Sequence, residues 1–164
     1  MAMEDDVPGR SAGPDGLLVL RTLFGSFVSA IVLIGVVVLI LTSDEGFGGD
    51  LAGVPAAAIT AVVGILLQVV GGVVERPLTC TDAVGLAASY RNRFFLRLAF
   101  AESAALVGFV LVVLSGNPAV YLVGAAVTAY GFARLAPTGD HLERDQEVLR
   151  DGGCGLSLEA ALRG

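Results

Sequence analysis

A chain of 164 residues with 55% hydrophobic residues, 16% charged residues and a mean hydropathy of +0.80 is too apolar for an ordinary soluble domain, where about a quarter of the residues are charged. Its net charge of −6 comes mainly from acidic clusters near the two ends, and an acidic balance argues against nucleic acid as a partner. The two cysteines, Cys80 and Cys154, imply no disulfide framework.

The apolar residues fall in four runs, as in a polytopic membrane protein. An acidic leader, residues 1–16, precedes the first run. Leu17 to Thr42 is the first predicted span; its run is too long for a secretory signal and no small-residue cleavage site follows, so it reads as an uncleaved anchor. Leu51 to Val74 is the second span, and the loop before it, with GFGG at 46–49, neither follows a strand nor opens a helix, so it is no phosphate loop. Thr79 to Arg93 begins with the cap-type residues Thr79, Thr81 and Asp82, and predicts a short interfacial helix running into the third span, Phe94 to Ser115. Pro118 to Leu135 is the fourth and shortest span, with ends near the interface. In the tail, residues 136–164, a helix is expected to start at Thr138 or Asp140 and to stop at Gly152 and Gly153. A further turn or two follows a Ser cap at Ser157. Leu142 and Leu149 give that tail a weak apolar stripe, which suits a solvated or docking segment better than a catalytic one.

Arginine placement orients the chain. The loops Ser43–Asp50 and Ser115–Ala119 hold none, whereas Arg10 and Arg21, then Arg76, Arg91, Arg93 and Arg97, then Arg134, Arg144, Arg150 and Arg163 belong to the two ends and the middle segment. By the positive-inside rule those parts are cytoplasmic. The fold class expected is therefore all-α: a bundle of four transmembrane helices, residues 17–135, with both termini inside.

Small residues mark the faces where membrane helices approach closely. Span two repeats Ala56, Thr60, Gly64, Gln68 and Gly72; span three has Ala101, Ala104, Ala105 and Gly108. Span four has Ala125, Ala129 and Ala133 with Gly124 and Thr128 beside them, and span one has Gly25 and Ser29. Helix packing accounts for all of these.

One residue breaks the pattern. Glu102 lies roughly 12 Å into the third span from Phe94, and a charged side chain at a helix centre costs about 2.5–3.5 kcal/mol on insertion scales. It must face protein or water. Gln68, Ser26, Ser29, Thr128 and Tyr130 fall in the same layer, so an intramembrane polar cluster of Glu102, Gln68, Ser29, Ser26, Thr128 and Tyr130 is the candidate site. Arg97 is turned by about 140° from Glu102 on the same helix, too far for a pair; Arg21 or Arg134 could reach it by snorkelling. Three readings of Glu102 stay open: hydrogen-bonded packing, a proton or cation site, since removal from water favours the protonated form, or contact with a partner subunit. His141, Cys154 and Cys80 could in principle meet at a metal, but three ligands without tight spacing do not predict one, and no nucleophile–base–acid set is visible. No cofactor, no metal and no enzymatic activity are expected.

The stretch CTDAVGLAASYRNRFFLRLAFAESAALVGFVLV, with ARLAP ending the last span, resembles small integral membrane proteins of high-GC actinobacteria over the second half of the chain. That resemblance implies a bacterial inner-membrane address and no activity. The helix around Glu102 is similar to the carboxylate helix of rotary ATPase proteolipid subunits, but the glycine-repeat partner helix is missing and Gly116–Asn117–Pro118 lies on the wrong side. The leading expectation is a non-enzymatic membrane protein acting through helix or subunit contacts, as an accessory or scaffold, with lipid and a membrane-protein partner or second copy as its contacts. The alternative is a small transporter or proton- or cation-conducting protein that uses Glu102.

Overall fold

The computed structural model describes residues 16–43, 53–74 and 77–163. The acidic leader up to residue 15, the GFGG turn, Arg10 and Arg76 lie outside the described residues. All regular structure among the described residues is helical: α1 (Gly16–Leu41), α2 (Gly53–Val73), α3 (Ala83–Ser115), α4 (Ala119–Leu135), α5 (Gly139–Asp151) and α6 (Leu158–Arg163).

Three of these, α1, α2 and α3, are long and apolar enough to cross a membrane. At 1.5 Å per residue the shortest of them is about 31 Å long, matching a hydrocarbon core of about 30 Å. α4 has 17 residues, about 25 Å, and reaches a fourth span only if it is taken together with α5, to which it is bent by 65°. The structure thus carries three to four of the four expected spans.

The interfacial helix and the third span are one element. Asp82 caps it, its carboxylate accepting from the Gly85 N–H at 2.6 Å. Neither proline nor glycine interrupts Leu86 to Val107, so the helix continues into the apolar run without a break. Gly116 ends it in the left-handed region (φ 69°), with its N–H donating to the Val112 carbonyl at 2.8 Å. A residue with a Cβ is strained there.

Helices α2, α3 and α4 form the tight part of the bundle, and small residues are the reason. A Cβ on Gly124 would sit 2.5 Å from the Ala104 carbonyl oxygen, and one on Gly64 would sit 2.6 Å from the Ala104 side chain. On α2 the buried positions are Gly53, Ala56, Thr60, Gly64 and Gly71, so the expected stripe holds through Gly64 and then shifts by one residue, leaving Gly72 exposed. On α3, Ala101, Ala104, Ala105 and Gly108 are buried as expected. Two stripes are corrected. On α4 the packed face is Tyr121, Gly124, Thr128 and Gly131, whereas Ala129 and Ala133 are exposed. On α1, Gly25 and Ser29 are exposed, and the helix buries only Gly16, Leu20 and Val38. Sequence pattern misplaced both because lipid tails are as apolar as a helix interface, so a small residue does not tell which one it faces.

The tail is docked. Leu149, Leu158, Ala161 and Leu162 are buried in one cluster with Leu20 of α1 and Leu86, Tyr90 and Phe94 of α3. Gly16 approaches α6 so closely that a Cβ would lie 2.5 Å from the Leu162 carbonyl oxygen. Gln146 fastens α5 to the start of α6, donating to the Leu156 carbonyl at 3.1 Å and accepting from the Leu158 N–H at 2.6 Å. The Tyr90 hydroxyl donates to the Asp145 carboxylate at 2.8 Å. This docking overturns the expectation for the cysteines. Cys80 and Cys154 form a disulfide, with Cα atoms 5.9 Å apart across a sequence separation of 74. That Cα distance lies within the range a disulfide needs. Nothing local in the sequence records it, because the fold of α5 and α6 back onto α3 is what brings the two residues together.

Candidate functional site

The six polar residues expected to share one layer do not share one cluster. Gln68 turns to α4, its amide donating to the Val127 carbonyl at 2.8 Å. Thr128, 1% exposed, accepts from the Ala105 N–H at 3.1 Å. Both hold the α2–α3–α4 seam together. Ser26 and Ser29 are exposed and return their hydroxyls to the carbonyls of Thr22 and Gly25, one turn back on their own helix. Tyr130 is 60% exposed and lies under the Arg134 guanidinium, 5.5 Å from ring centroid to Cζ. None of the five is hydrogen-bonded to Glu102.

Glu102 sits on a different side of α3. Phe95 packs edge-on against Phe27 of α1, with centroids 5.7 Å apart. Glu102 is seven residues further on, on the same helical face and two turns deeper. It is half-buried and makes no hydrogen bond or ion pair among the described residues. A group within its electrostatic reach is one the sequence did not single out. Tyr121, at the other end of α4, is buried, reaches across to α1 and donates its hydroxyl to the Ile31 carbonyl, while its phenol lies within electrostatic reach of Glu102. A Cβ on Gly35 would sit 3.2 Å from that ring, so α1 approaches Tyr121 at a glycine. Tyr121, one of two tyrosines among the apolar residues of the fourth run, was the available signal.

The α1 side of this seam is thinly packed. Phe24 meets Phe132 of α4 at 5.6 Å between centroids, and Phe27 meets Phe95; beyond them α1 turns Val28, Val32, Leu33, Val36 and Val37 outward.

On the opposite side of the bundle a groove of about 960 Å³ runs between α2, α3 and α4. Its inner part is apolar, with Ile65, Val69 and Val127. Its other end carries Arg97, one turn before Phe100, and Arg134, in the last turn of α4.

Cys80 and Cys154 are consumed by their disulfide, and His141 Nδ1 lies 2.7 Å from the Ala136 carbonyl oxygen and 3.1 Å from the Thr138 hydroxyl. The three residues weighed as metal ligands therefore have other partners. No family model matches the chain, and no curated protein or solved structure is significantly similar to it.

Proposed function

We propose that this chain is a four-span protein of a bacterial inner membrane that catalyses no reaction and works through helix contacts, as an accessory or scaffold subunit whose partner is another membrane protein or a second copy. The observation that carries this reading is Glu102: an intramembrane carboxyl, half-buried, with no hydrogen bond among the described residues. Such a group is costly in lipid unless protein or water satisfies it, and intramembrane hydrogen bonds between helices are a known source of association. The thin packing of α1 beside it leaves room for a further helix. Arginine asymmetry supports both termini and the segment before α3 lying in the cytoplasm, and the resemblance to actinobacterial membrane proteins agrees with the address.

The test is the mass of the protein–detergent complex and the set of proteins that co-purify in mild detergent, for wild type and Glu102→Ala. Loss of a partner or of an oligomer in the variant, with the monomer still folded, is the expected result. An unchanged complex overturns the contact role of Glu102.

The second reading, a small transporter or a proton- or cation-conducting protein, draws on the proximity of Tyr121 to Glu102, since relays use chains of ionisable groups. It requires flux in liposomes that disappears with Glu102→Gln while thermal stability holds. Absence of flux in the wild type removes it.

A further inference from the structure

The groove between α2, α3 and α4 lies away from Glu102 and from the α1 seam, and the contact function makes no use of it. Its walls run from Ile65 and Ala126 to Leu135, ten residues of α4, or about 13 Å along the bundle. Over most of that length the lining is apolar. Gly72 opens the α2 wall: nothing lies within 4 Å of where its Cβ would be, although the neighbouring Gly71 is closed off by the Phe100 ring. The charged groups collect at one end. Arg134 is exposed there over the Tyr130 ring, and Arg97 borders the same space.

This division matches an amphiphile with a negative head and a hydrocarbon tail. An apolar groove that opens toward a bilayer is filled by acyl chain. Arginines at the end of a membrane helix reach the level of the lipid headgroups, where the planar guanidinium binds phosphate through paired N–H donors. Basic pockets between membrane helices are the recognised form of headgroup recognition for anionic lipids. Gln68 adds no competing charge, since its amide is committed to Val127.

We propose that this groove binds one anionic phospholipid, with an acyl chain against Ile65, Val69 and Val127 and the phosphate between Arg97 and Arg134. The proposal requires that α2 and α3 cross a bilayer and is independent of the contact function of Glu102.

The experiment is native mass spectrometry of the full chain, purified in a non-ionic detergent, delipidated, and titrated with dioleoyl phosphatidylglycerol or dioleoyl phosphatidylcholine. Glycerol 3-phosphate in a third arm presents the headgroup alone. Wild type should retain one phosphatidylglycerol at least five-fold more strongly than phosphatidylcholine, and should retain no glycerol 3-phosphate. A basic residue near a membrane surface contributes about 1 kcal/mol toward anionic lipid, or roughly five-fold. Arg134→Gln should therefore lower the preference about five-fold, and Arg134→Lys should restore most of it. Gly72→Phe, which meets no atom at its Cβ, should displace the retained lipid while both arginines remain. Arg163→Gln, which removes only an exposed pair with Glu159 on α6, should change nothing. Equal retention of the two phospholipids by wild type overturns the proposal. So does a preference that survives the double change Arg97→Gln, Arg134→Gln in protein with an unchanged melting temperature. Binding of glycerol 3-phosphate as strong as that of the lipid assigns the arginines to a free phosphate and removes the acyl groove from the account.

Discussion

Gly124→Ala tests how the bundle is held. The added Cβ would lie 2.5 Å from the Ala104 carbonyl oxygen, and 3.2 Å from both the Ala104 carbonyl carbon and the Ala105 Cα. All three are backbone atoms of α3, so no side-chain rotation relieves the clash. Reaching an ordinary contact of about 3.4 Å or more requires α3 and α4 to separate by nearly 1 Å at their closest approach, and overpacking of that kind costs about 1–3 kcal/mol. Separation also strains the bond from the Ala105 N–H to the Thr128 hydroxyl at the same level. The usual gain of alanine over glycine in a helix, about 1 kcal/mol, offsets little of this, because the reference state in a bilayer is already helical. The matched control is Gly25→Ala on α1, where nothing lies within 4 Å. Thermal unfolding in mild detergent, followed by loss of the monodisperse peak, reads the difference. With about 2–4 °C per kcal/mol for a chain of this size, Gly124→Ala should melt roughly 3–10 °C below wild type, and Gly25→Ala within about 1 °C of it. Equal melting of the two variants would refute the claim that close α3–α4 approach at Gly124 stabilises the bundle.

Leu158 is 1% exposed in the tail cluster, so Leu158→Ala should cost about 2–5 kcal/mol and should release the tail; limited proteolysis is then expected to cut after Leu135 while α1–α4 stay intact. Reduction of the Cys80–Cys154 disulfide should act in the same direction, with about 4.5 kcal/mol as the ceiling from closing so long a loop and less in practice, because α3 and α4 inside it stay helical in lipid. The state of that pair also reads orientation: disulfides are rare in a reducing cytoplasm, so with the arginine-bearing end inside, both cysteines of growing cells should react with a permeant maleimide and not with an impermeant one. A pair that stays oxidised in untreated cells, or is labelled from outside after reduction, puts this end on the exterior. Thr128→Val keeps the shape and removes the acceptor for the Ala105 N–H, and should cost only about 0.6 kcal/mol, the mean for intramembrane hydrogen bonds; a loss above about 2 kcal/mol would mean that the hydroxyl holds more than this one contact.

The local features of the chain were legible in its sequence. Long apolar runs fix α1, α2 and the C-terminal two-thirds of α3, because each must satisfy its own backbone in lipid and only a helix does so. Caps are legible for the same local reason: Asp82 opens α3, Thr138 precedes α5, and Gly152 and Gly153 follow it. Glu102 stood out because a carboxyl within an apolar run is costly wherever it faces lipid, whichever residues surround it in sequence. Its surroundings were not legible. Depth along four helices placed six polar residues in one layer, but depth says nothing about rotation, and rotation sends Gln68 and Thr128 to one seam, Ser26, Ser29 and Tyr130 outward, and Glu102 toward α1 and Tyr121.

Sequence alone determined where the helices run, because backbone satisfaction and hydrophobic length act within a single segment. Tertiary structure alone decided which faces meet: Gly124, Thr128 and Gly131 inward with Ala129 and Ala133 outward, α1 held by a few rings, the tail folded back over Leu20 and Leu86, and Cys80 joined to Cys154. In water, burial separates an inner face from an outer one and leaves a periodic trace in the sequence. In lipid both faces are apolar, so the choice between them rests on van der Waals fit and a few hydrogen bonds between particular helices, and those exist only once the helices have come together.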